Sequence, residues 1–124
     1  MSAFYLDMIA INPKREEIRS EPVCVMVDSG SELSWLPAAT LGNAGITPRH
    51  KRSFRMADGR VMTRDVGYCI LEAQGFSTTD EVVFAEPGDM CLLGVRTLEG
   101  FGVVVDAIAH RLLSSVTIVA GAAA

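Results

Sequence analysis

The chain has 124 residues, enough for one domain with one main core, and 49% of them are apolar against 21% charged. That balance excludes an intrinsically disordered chain, and a net charge of −4 argues against nucleic acid as a partner. Three scattered cysteines and two histidines suit neither a disulfide framework nor a structural zinc site. The N-terminus shows no basic region followed by a long apolar stretch, so neither a signal peptide nor a membrane span is expected, and a reducing cytoplasm is the natural compartment.

In chain order, residues 3–12 are apolar with aromatic entries and predict a strand, broken by the exposed Pro13-Lys14-Arg15-Glu16-Glu17 loop. Residues 23–27 predict a buried strand that runs into a turn at Asp28-Ser29-Gly30. A short strand is expected over residues 33–36, and Pro37 opens one or two helical turns limited by Gly42 and Gly45. The basic run His50-Lys51-Arg52 reads as a solvated loop. Residues 54–56 and 61–63 flank Ala57-Asp58-Gly59-Arg60, and an Asp-Gly pair between two such runs predicts a hairpin. Strands follow over residues 66–72, turning near Gly75, and from Phe76 through 82–84 to a turn at Glu86-Pro87-Gly88-Asp89. Cys91-Leu92-Leu93 is a buried run stopped by Gly94, residues 96–101 predict a short helix, and residues 103–105 a strand. Residues 112–119 supply one or two more strands. The apolar segment 116–119 needs a neighbour in its own chain or in another. Residues 120–124 read as a frayed tail. The pattern is that of a single all-β domain over residues 1–124, with closely spaced connections and one or two short helices.

Asp, Ser and Gly are ordinary turn residues, so the triplet at residue 28 is weak evidence by itself. Its setting adds weight. A polar loop held between two apolar strands has its side chains satisfied by hydrogen bonds, Gly30 permits close backbone approach, and Ser29 and Ser31 offer hydroxyls. Asp58, Asp65, Asp80, Asp89 and Asp106 lack this context and read as turn or surface carboxylates. Trp35 reads as a core residue, and Met26 and Met56 as packing residues. Cys24, Cys69 and Cys91 read as buried free thiols with no base beside them.

With these residues placed, the chain resembles the retroviral-type, or retropepsin-like, single-domain aspartic proteases, and in particular their bacterial branch. Asp28-Ser29-Gly30-Ser31 matches the catalytic loop, residues 54–66 lie where that family has its flap hairpin, and Leu92-Leu93-Gly94 matches the element that closes the fold before a short helix. The resemblance implies a closed, β-barrel-like domain and an aspartic endopeptidase acting on extended peptides. It implies a homodimer in which each subunit supplies one Asp28, with Ser29, Gly30 and Ser31 supporting the site and no metal or organic cofactor required. Met56, Ala57, Asp58, Gly59 and Arg60 would form the flap and touch substrate, although retroviral flap tips are richer in glycine. Gly94 would pack tightly beneath the site, and Arg96 would pair with Glu32. Two other readings stay open: a catalytically inactive peptide-binding or dimerisation module with the same fold, and a monomer whose terminal strand pairs internally.

Overall fold

The computed structural model describes residues 3–116. Its strands are β1 (Tyr5–Ile11), β2 (Val23–Val27), β3 (Ser34–Pro37), β4 (His50–Arg55), β5 (Val61–Ala73), β6 (Phe76–Ala85), β7 (Leu92–Leu93), β8 (Val103–Asp106) and β9 (Arg111–Ser114). Two short helices, α1 (Ala38–Asn43) and α2 (Val95–Phe101), follow β3 and β7. The fold is mostly β-sheet, as the sequence predicts.

Period-two burial makes these segments strands. In β1, Tyr5 and Asp7 face solvent while Leu6 and Met8 are buried. β5 and β6 form the longest hairpin, turning at Gln74 and Gly75, which adopt φ of 49° and 85°. Two positive φ values give a two-residue turn whose twist matches the strands it joins. The main sheet runs β1-β2-β7-β3-β6-β5-β4, and β1 pairs a second time, with β5. The first half of β1 lies antiparallel to β2 and the second half antiparallel to β5. β2 with β7, and β3 with β6, are parallel. β8 and β9 form a separate two-stranded sheet.

The main core gathers Met8, Val25, Leu36, Leu41, Leu71 and Leu93, all fully buried. Each such side chain contributes about 1.5–3 kcal/mol relative to exposure. A smaller cluster of Leu33, Trp35, Val66, Val83 and Ala85 packs against Phe54 and Leu92. Trp35 is 6% exposed, so the core reading of that residue is correct.

Three expectations are corrected. His50-Lys51-Arg52 is the start of β4 and not a loop, because its cross-strand partners Val66, Asp65 and Arg64 extend the hairpin inward. The strands expected at 61–63 and 66–72 are one continuous β5. Cys24 is exposed, since it lies on the outer face of β2 next to fully buried Val25; only Cys69 is fully buried. Burial pushes the Cys69 thiol up to about 12. The strand expected over 116–119 lies outside the described residues beyond Val116, as does the expected tail.

Candidate active site

β2 ends at Val27, and the next residue is still held by its parallel neighbour: the Asp28 amide donates to the Leu93 carbonyl at 2.9 Å. The chain then reverses. Asp28 Oδ1 accepts the Gly30 amide at 2.9 Å, and the Asp28 carbonyl accepts the Ser31 amide at 3.1 Å. A Cβ at residue 30 would sit 3.1 Å from Asp28 Oδ1, so glycine leaves that carboxylate oxygen uncrowded. The Ser31 hydroxyl donates to the Leu33 carbonyl at 2.7 Å. Asp28 is half-buried, and Ser29 is exposed.

The loop rests on the start of α2. The amides of Val95 and Arg96 donate to the carbonyls of Ser31 and Glu32 at 2.7 and 3.1 Å. Gly94, just before them, is buried, and its amide donates to Ser34 Oγ at 2.9 Å. Ser34 Oγ lies 2.6 Å from Thr97 Oγ1, which donates to Asp80 Oδ2 at 3.1 Å. Because the single Thr97 hydroxyl proton goes to Asp80, Ser34 must donate to Thr97. Among the described residues every buried side-chain nitrogen and oxygen has a partner. Thr97→Val keeps the shape, removes the link to Asp80 and strands the Ser34 hydroxyl; it should cost about 2 kcal/mol in urea denaturation.

β4 and β5 carry the hairpin opposite. Arg55 faces Val61 in the register, and beyond them the Met56 amide donates to the Arg60 carbonyl at 2.7 Å. Gly59 sits at the tip with φ of 89°. Asp58 accepts the Arg60 amide at 3.0 Å and Arg60 Nε at 2.7 Å, and these two bonds hold its carboxyl below the usual carboxylate range. Phe54 reaches inward to Trp35, with ring centroids 5.1 Å apart.

The loop and the hairpin face each other across one cleft of about 720 Å³. Asp28, Gly30, Ser31, Glu32, Leu33 and Trp35 line one side, Phe54, Met56, Ala57, Arg60 and Met62 the other, and Gly88, Asp89 and Met90 the rim. Of the residues expected at the site, Ser29, Asp58 and Gly59 are outside this lining, and Gly94 lies beneath the loop. Glu32 and Arg96 do not pair through their side chains. Arg96 leaves α2 toward β6, where its guanidinium reaches Glu81 at 3.0 Å and Asp80 at 3.5 Å. The bond to Glu81 raises its pKa further, and Glu32 adds only a longer-range attraction.

Sequence reasoning also missed two carboxylates. Asp80 has a side chain only 8% exposed, and Asp89 only 9%. Asp89 takes Arg64 in a two-pronged pair at 2.7 and 2.9 Å, which holds the Asp89 carboxyl below its ordinary range. The clue was positional: Arg64 falls on the same face of β5 as Met62 and Val66, one buried and one half-buried, and an arginine there needs a partner.

Residues 16–100 match the profile of the family described as gag-polyprotein putative aspartyl protease. The chain belongs to this family. Among solved structures it is similar to the solution structure of simian foamy virus (mac) protease, with 22% identity and a TM-score of 0.50 over 77% of this chain and 91% of that one. That likeness is one of fold. No curated protein matches the chain. Among the described residues no helix is long and apolar enough to cross a membrane.

Proposed function

We propose that this aspartic-protease family member is an endopeptidase whose catalytic pair is made of two copies of Asp28, one from each subunit of a homodimer. The observation that carries the reading is the cleft itself: an Asp-Ser-Gly loop faces a β-hairpin across a space fit for an extended peptide. Each chain brings one such loop, with its Ser29 hydroxyl exposed and making no hydrogen bond to described residues of its own chain. In this reading that hydroxyl bonds the opposite loop. Exposed Val104, Val105 and Ile108 on the β8–β9 hairpin support a second copy as partner. In keeping with the family, the double pairing of β1 is read as barrel-like closure, the chain as a single domain, and its kin as the bacterial branch.

Two carboxylates side by side share one proton, because both cannot be ionised at that distance. The ionised one takes a proton from water as its oxygen attacks the peptide carbonyl carbon. The protonated one gives its proton to the carbonyl oxygen. The newly protonated carboxyl then gives its proton to the amide nitrogen, the C–N bond breaks, and the other carboxylate takes a proton from a hydroxyl of the tetrahedral intermediate, so that the pair is again singly protonated. Glu32 is exposed at the mouth and takes no part in these steps.

The second reading, a peptide-binding module without catalysis, is favoured by one fact: a single chain presents one Asp28. Absence of cleavage by the wild type would favour the binding module, and subunit mixing tests whether the site is shared. Wild-type chains mixed with an equal amount of Asp28→Asn chains should retain about a quarter of the specific activity of wild-type dimers, since only that share pairs two intact loops. Activity at one half would show that each chain works alone. Sedimentation equilibrium on the same samples should show a monomer–dimer equilibrium; a monomer at all concentrations would sink the shared site.

A further inference from the structure

One rung of the hairpin over the cleft has a chemical peculiarity. Arg52 on β4 and Arg64 on β5 are direct cross-strand partners. Both are half-buried residues on the inward face, in step with Phe54 and Met62. Like charges directly opposite each other destabilise a strand pair. Here each is neutralised by a separate carboxylate. Arg52 meets both oxygens of Glu81 on β6 at 3.3 Å, and Arg64 grips both oxygens of Asp89 on the cleft rim. Glu81 is itself fixed by Arg96 of α2, and Asp89 by the Glu86 amide at 2.8 Å. Above this rung the polar pairs are weak or exposed, Ser53 with Thr63 at 3.1 Å and Asp58 with Arg60 at the tip, and the apolar contact is that of Phe54 with Trp35.

We propose that the Arg52–Arg64 rung is the fixed base of the flap, with Asp89 and Glu81 as positioning residues, so that opening and closing are confined to residues 53–63. The proposal rests on reading the hairpin as a substrate cover. A flap cut off at this rung moves as a short lever. Its tip can admit a peptide without disturbing Trp35 or the Asp28 loop, because Arg64 and Asp89 hold β5 to the rim while Phe54 slides on Trp35. Asp89 is the more consequential of the two anchors. It is nearly buried, it binds one arginine with both oxygens, and its loss leaves the Arg64 guanidinium without its two-pronged partner, directly opposite the charge of Arg52. Neither Asp89 nor Glu81 touches the reacting atoms, and their effect passes through the flap.

Hydrogen exchange on the full-length protein tests this without needing a substrate. In Asp89→Asn, amides of residues 53–63 and 64–66 should exchange roughly tenfold faster, while those of β1 and β2 keep their wild-type rates. The reversed pair, Arg64→Asp with Asp89→Arg, should bring exchange in the hairpin back toward wild type. On any peptide the wild type cleaves, the loss in Asp89→Asn should fall on KM more than on kcat. Unchanged hairpin exchange would overturn the proposal. So would acceleration spread equally over β1, β2 and the hairpin, which would make Asp89 merely structural. Should Asp89→Asn fail to fold, Arg64→Lys, which keeps the charge and loses the fork, carries the same expectation in milder form. Absence of any cleavage by the wild type would count against the protease reading and leave the exchange result to decide the anchor.

Discussion

Asp28→Asn should reduce peptide cleavage by at least about a thousandfold while leaving the fold intact. The two halves of that expectation have separate physical grounds. Asparagine keeps an oxygen where Asp28 Oδ1 accepts the Gly30 amide, so the turn survives. The side chain is half-buried and carries no ion pair among the described residues, so stability should shift by only about 0.5 kcal/mol. An amide, however, can neither take a proton from water nor give one to the carbonyl oxygen. Mass-spectrometric profiling of an unbiased peptide library, beside a thermal melt of each protein, checks both. Equal cleavage by wild type and variant would remove Asp28 from the chemistry. A melt shifted by many degrees would contradict the second half of the expectation, since asparagine retains the acceptor of the Gly30 amide.

The parts of this fold legible in the sequence are those set by neighbours along the chain. Val23 to Val27 is an unbroken apolar run around a buried Val25, the Asp28 turn follows at once, and Gly59 and Gly75 mark reversals that local backbone geometry demands. The site loop and the hairpin over it were therefore readable as separate pieces. What joins them was not. Arg96 points at Glu81 because α2 lies on β6, a packing choice that no local spacing encodes. His50-Lys51-Arg52 reads as a loop by charge, yet Asp65 and Glu81 arrive from other strands to balance it. Asp80 and Asp89 read as surface carboxylates by type, and burial came only with Thr97 and Arg64. Charged residues in the interior are the ones for which tertiary partners decide, since an unpaired charge there would cost several kcal/mol.

Gly94→Ala should destabilise the protein by about 3 kcal/mol and remove activity with it. Backbone strain is not the reason, for residue 94 has φ of −91°, which alanine adopts freely. The reason is space. A Cβ there would stand 2.6 Å from the Leu33 carbonyl carbon and 2.9 Å from the Ser31 carbonyl oxygen. Both are main-chain atoms, so no rotamer change relieves the overlap. The segment that must yield is the one that follows the Asp28 turn, and the strand before Gly94 supplies the carbonyl that holds the Asp28 amide. Any retreat of 31–33 from α2 therefore also stretches the hydrogen bonds that the Val95 and Arg96 amides donate to Ser31 and Glu32, and tilts the carboxylate. Gly42→Ala is the matched control, because a Cβ there meets nothing within 4 Å and its helical position favours alanine by about 0.5–1 kcal/mol. Urea denaturation of the two variants should move in opposite directions. If Gly94→Ala folds as stably as Gly42→Ala, the close approach of α2 to the loop is not what fixes Asp28 in place.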